Sequence, residues 1–87
     1  MALALSSPLA AEEGGISKMI PFDSEEVGIN LEIGDMASRS GDYDSAISAY
    51  SRAYLLDNKN FAAIYNLAYT YQMKGALKEA LKYYKVS

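Results

Sequence analysis

The sequence contains no cysteine and no histidine. The first absence removes disulfide staples, thiolate metal sites and cysteine nucleophiles. The second removes the commonest metal ligand and the commonest general base at neutral pH. Basic charge is also scarce, with eight lysines and arginines against eleven acids and a net charge of -3. That balance works against binding nucleic acid, which draws on a basic surface. The apolar stretch at the start of the chain falls far short of the roughly 20 residues that cross a bilayer. Gly14 and Gly15 lack the lysine and hydroxyl residue that would follow in a phosphate-binding loop. Glu25, Glu26, Asp42 and Asp44 fit helix N-termini, where negative charge is favourable, and lack the alternating spacing of a calcium loop. These absences point away from an enzyme. The expectation is no catalytic residue, no metal, no cofactor, no nucleic acid and no membrane.

What remains is a chain of 87 residues, 51% hydrophobic and 22% charged, with room for one small folded domain. Its charge is unevenly placed. Residues 1–57 hold ten acids and three bases, whereas residues 58–87 hold five lysines and one acid. Residues 1–22 read as a segment apart. Met1 to Ala11 looks like a flexible leader or a cloning remnant, with a trimmed export signal or a short helix as the alternatives. The positively charged start of a signal peptide is missing. Location is therefore open, cytoplasmic or, if that segment is an export remnant, periplasmic. Ile16, Met19, Ile20 and Phe22 could dock on an apolar surface. At the other end the helical pattern runs into Val86 and Ser87 with no stop signal, as in a cut fragment or an end that needs a partner.

From residue 23 onward the pattern predicts four helices and no strand. Asp23, with Glu26 three residues on, suits a helix start. Val27, Leu31, Gly34, Met36 and Ala37 give an apolar face, with Ile29 and Ile33 beside it. Ser40, Gly41 and Asp42 close that helix and open a second, whose stripe is Ala46, Tyr50 and Ala53. A third runs from about Phe61 to Lys74 on Ile64, Leu67, Ala68 and Tyr71, and Gly75 ends it. A fourth starts near Leu77 and carries Ala80, Leu81, Tyr84 and Val86. Breaks are expected near 41, 58 and 75, and such short connections make neighbouring helices antiparallel.

An offset of 34 residues superimposes Gly41 on Gly75, Ala46 on Ala80, Tyr50 on Tyr84 and Ile33 on Leu67. A helix-turn-helix unit of that period is the tetratricopeptide spacing. In residues 27–60 the landmarks are Gly34, Gly41, Tyr43, Ala46, Tyr50 and Ala53, closed by Asp57 to Asn60 with Asn58 in place of proline. In residues 61–87 they are Ala68, Gly75, Leu77, Ala80 and Tyr84, with Ser87 where alanine is usual. Residues 27–87 thus resemble the tetratricopeptide repeat family. The fold class expected is all-α, two antiparallel helix hairpins of a solenoid, the second repeat incomplete. Small residues at 46 and 80 let the helices of each hairpin approach, and Tyr50 and Tyr84 fill the wedge between hairpins.

The resemblance implies a concave groove lined by the first helix of each repeat. Its positions here are Gly28, Leu31, Asp35, Ser38 and Arg39, then Ala62, Tyr65, Tyr69, Gln72 and Met73, with Asn66 beside them. Tyr65, Tyr69, Gln72 and Met73 also lie off the core stripe at helical spacing, and tyrosine and methionine suit adaptable protein surfaces. Ordinary solvated surface is the other reading of that stripe. Family members that clamp a chaperone's C-terminal carboxylate use basic and asparagine groups. Asn66 matches, but Leu31 and Asp35 replace the others and Asp35 would repel a carboxylate. Lys78, Lys82 and Lys85 share one face, either solvated or open to an acidic partner.

The function implied is a non-catalytic interaction module or scaffold fragment that binds a protein or peptide. The alternative is a self-assembly module whose repeats stack between chains. Exposed apolar ends and complementary charge favour a homo-oligomer, a dimer being the common closed form; the same features could serve stacking within a longer chain. Placing Ala46 between helices has a direct test. Ala46→Leu is expected to destabilise by roughly 1–3 kcal/mol through overpacking, and Ser48→Leu by much less, as read from urea unfolding midpoints.

Overall fold

The computed structural model describes residues 24–86. These form four helices, α1 (Ser24–Arg39), α2 (Tyr43–Leu56), α3 (Phe61–Lys74) and α4 (Leu77–Val86), and no strand occurs among them. The breaks fall where the glycines and the Asp57–Asn60 link predict them. Asp23 and residues 1–22, including the expected cap and the apolar Ile16, Met19, Ile20 and Phe22, lie outside the described residues.

Each boundary has a local cause. Gly41 and Gly75 adopt left-handed backbone with φ of 81° and 92°, a conformation any side chain would penalise. Around Gly41 the amides of Gly41 and Asp42 bond to the carbonyls of Ser38 (3.0 Å) and Ala37 (2.9 Å). Around Gly75 the amides of Gly75 and Ala76 bond to Gln72 (3.0 Å) and Tyr71 (2.8 Å). The two helix ends are therefore closed by the same hydrogen bonds, 34 residues apart. Asp42 accepts the Ser45 amide at 3.2 Å, and these hydrogen bonds from Ser45 hold its carboxyl below the usual range. Asn60 does the same for α3, accepting the Ala63 amide at 3.0 Å. Asp57 takes the amides of Lys59 (3.2 Å, side chain) and Asn60 (3.1 Å, carbonyl), which tightens the link between hairpins.

Each helix packs against its neighbour in the chain, and α1 also touches α3. Val27 of α1, Ala53 of α2 and Ala63 of α3 form one buried cluster. Ala46, Tyr50 and Leu67 form a second. Ala46, Ala53, Ala63 and Leu67 have no solvent exposure at all.

The structure corrects several expected packing positions. Met36, on the apolar face of α1, is 59% exposed, and Leu81 and Val86 are also exposed, so these apolar positions are not part of the core. Asn30 and Thr70 are buried instead. Each polar group is satisfied: the Asn30 side chain donates to the Glu26 carbonyl (3.0 Å) and accepts from Arg52 Nε (3.0 Å). The Thr70 hydroxyl donates to the Asn66 carbonyl (2.6 Å).

Tyr50 and Tyr84 also part company. Tyr50 is buried against α1, where a Cβ on Gly34 would lie 2.5 Å from its ring. The counterpart of Gly34 in the second repeat is Ala68. Tyr84 instead lies half-buried with its ring edge-on to Tyr65 and its hydroxyl donating to Gln72 Oε1 at 2.8 Å. It does not repeat the wedge. Tyr83 takes the inter-hairpin position, stacked on Tyr71 at 5.8 Å and edge-on to Tyr54 at 5.7 Å.

Gly34 and Gly28 thus predict opposite outcomes for one substitution. The Tyr50 ring is buried and cannot swing clear, so Gly34→Ala should cost roughly 1–3 kcal/mol despite alanine's better helix propensity. A Cβ at Gly28 meets nothing within 4 Å. Gly28→Ala should therefore stabilise by up to about 1 kcal/mol in the same denaturation assay.

Candidate functional site

The exposed face of α3 follows from its core face. Ala63, Ile64, Leu67, Ala68 and Thr70 turn inward, so Phe61, Tyr65, Tyr69, Gln72 and Met73 turn outward. Phe61 stacks on Tyr65 at 5.8 Å between ring centroids, and Tyr65 on Tyr69 at 6.3 Å. Four-residue spacing on a helix makes this ladder possible. Tyr84 closes one side, edge-on to Tyr65. Tyr65, Tyr69 and Met73 remain 43%, 44% and 48% exposed, so apolar area stays open to solvent after the fold has formed.

The positions on α1 are placed differently. Leu31 is half-buried and packs against both core clusters. Asp35 is half-buried and accepts the Tyr50 hydroxyl. Ser38 is half-buried, whereas Gly28 and Arg39 are exposed. On α3, Ala62 is exposed, and Asn66 is half-buried with its carbonyl taken by Thr70. The structure therefore brings together Tyr65, Tyr69, Gln72 and Met73, while Leu31 and Asp35 are engaged in packing.

Several contacts between helices escape sequence reasoning. Tyr83 joins α2, α3 and α4 through its two ring contacts, with Lys82 Nζ 5.5 Å from its ring centroid. Arg52 ties α2 to α1 through Asn30 and also reaches Ser48 at 3.2 Å. The signal for Asn30 was its place three residues after Val27, on the same helix face. Asp44 and Lys74 form an exposed ion pair between α2 and α3. That contact matches acid from the first half with base from the second, and the hydrogen bond to Asp44 raises the Lys74 pKa.

Two further facts bound the chemistry. Among the described residues no group of three or more acidic, cysteine or histidine side chains is placed to hold a metal. No helix among them is long and apolar enough to cross a membrane.

The family model described as "Tetratricopeptide repeat" matches residues 37–86, from the last turn of α1 to the end of α4. The chain belongs to the tetratricopeptide repeat family. No match is found among curated proteins or solved structures. Tetratricopeptide repeats are helix-turn-helix units, and the four antiparallel helices here are a partial solenoid of that kind. A helical repeat fold of this type is typical of protein–protein interaction modules.

Tyr50 and Asp35 supply a pH signature. Burial, reinforced by the hydrogen bond to Asp35, pushes the Tyr50 phenol far above its ordinary value of 10.0. The folded state thus prefers the neutral phenol. Its contribution is complete below about pH 10 and is lost as pH rises beyond it, because only the unfolded chain readily releases the proton. Unfolding midpoints should be steady up to about pH 9 and fall above about pH 10. Tyr50→Phe should flatten that fall, and an identical pH dependence in the variant would contradict the assignment.

Proposed function

We propose that the chain is a non-catalytic interaction module that holds an extended protein segment along the concave side, with Tyr65, Tyr69, Gln72 and Met73 of α3 as the contact residues. The observation that carries this reading is the open aromatic ladder. Its rings are stacked on one another and are spare to the core. Ring faces held in place by neighbours lose little side-chain freedom on binding, and a methionine at the same edge can adapt to different apolar groups. Gln72 already accepts from Tyr84 and retains an amide that can donate to a bound backbone carbonyl. Arg39 is the exposed charged residue among the α1 groove positions; Leu31 and Asp35 support the frame.

The choice of partner lies in these side chains, because the fold hosts many. Leu31 and Asp35 argue against a carboxylate clamp, since neither can donate to an anion. Selection of a displayed random-peptide library on the immobilised chain tests the proposal. Enriched peptides should bind the parent and lose about tenfold or more against the double variant Tyr69→Ala, Met73→Ala. Failure to enrich any sequence, or equal affinity for the variant, would refute it.

A further inference from the structure

The 34-residue register gives every residue of the first repeat a counterpart in the second, so the contacts between the hairpins can be projected beyond them. On α3, Ala63, Leu67 and Thr70 are 0%, 0% and 1% exposed. Ala63 clusters with Val27 and Ala53, and Leu67 with Ala46 and Tyr50, all from the preceding hairpin. Their counterparts on α1 are Ile29, Ile33 and Met36, which are 48%, 43% and 59% exposed. The face that the first repeat covers on α3 is thus present on α1, in apolar residues, and no described residue covers it. The covering residues have counterparts too. Val27 corresponds to Phe61, 64% exposed, and Ile47, which packs on the second cluster, corresponds to Leu81, 55% exposed. Ala46 and Tyr50 correspond to Ala80 and Tyr84.

We propose that α1 of one chain docks on the α3–α4 face of a second copy, head to tail, in the manner in which α3 docks on α1–α2 within a chain. Ile29 then meets Phe61 of the neighbour, and Ile33 meets its Leu81. Charge favours the same pairing. α1 carries Glu25, Glu26, Glu32 and Asp35 against Arg39, whereas α4 carries Lys78, Lys82 and Lys85 against Glu79. Helices of like charge would repel in a symmetric α1-to-α1 contact. Solenoid repeats bury their cores by stacking, and Ile29, Ile33 and Met36 give α1 apolar area for it. The contact joins unlike surfaces, so it propagates rather than closing at two chains.

Sedimentation of the 87-residue chain across a wide concentration range reads the association, and a pair of variants reads its polarity. The parent should rise in mean mass above 9.5 kDa with concentration. Ile33→Glu removes the α1 face and Phe61→Glu the α3–α4 face; each should weaken self-association by about tenfold or more. Mixed in equal amounts, they should form a one-to-one dimer that grows no further, because each keeps the face the other has lost. Met36→Glu and Leu81→Glu repeat the design should either first variant lose its helical circular dichroism. Phe61→Glu dimerising as well as the parent, or a mixture no larger than its components, overturns the proposal. So does a parent that stays monomeric at every concentration, as it would if residues 16–22 occupied the α1 face. Peptide selection on Tyr69 and Met73 is read separately, so either reading can fail alone.

Discussion

α2 lies between α1 and α3 and must be approached closely from both sides. Its inward residues are Ala46, Ala49, Ala53 and a single large one, Tyr50. Three methyl-sized side chains bring the helix axes together, and the one ring is admitted because Gly34 has no side chain opposite it. The rest of the molecule depends on this spacing. It lets Leu67 reach between hairpins and leaves Tyr65, Tyr69 and Met73 of α3 exposed.

Aromatic residues divide into two populations as a result. Tyr54, Tyr71 and Tyr83 interlock where α2, α3 and α4 meet, with one stacked and one edge-on contact, both geometries that suit the ring quadrupole. Phe61, Tyr65 and Tyr69 run along α3 in a ladder whose remaining faces meet water. The first set fixes the angle between hairpins. The second is displayed by that angle.

The elements legible in the sequence were those decided locally. Asp42, Asn60, Gly41 and Gly75 mark their boundaries because the capping oxygen or the left-handed backbone acts within a few residues. Tyr65, Tyr69, Gln72 and Met73 were legible because they fall off the core stripe of α3. What the sequence hid depends on a second helix. Periodicity names a stripe but not which flank of it meets a neighbour, so Met36 read as core and Asn30 did not. Leu31 and Asp35 sit at groove positions by register, yet one packs into two clusters and the other is held by Tyr50. Tyr84 repeats Tyr50 in sequence, yet it is half-buried where Tyr50 is buried.

The paired helix ends at Gly41 and Gly75 have a geometric consequence. Because the same two hydrogen bonds close both, α2 leaves α1 and α4 leaves α3 through the same turn. The Asp57–Asn60 link, held by the two bonds to Asp57, then carries one unit into the next. Turn and link together, with the packing of α2 against α1 and α3, set how one hairpin follows the next. Surface residues on the helix faces can therefore diverge while the coil keeps its pitch. A change in the turns would alter the curvature of everything downstream without touching a single contact residue.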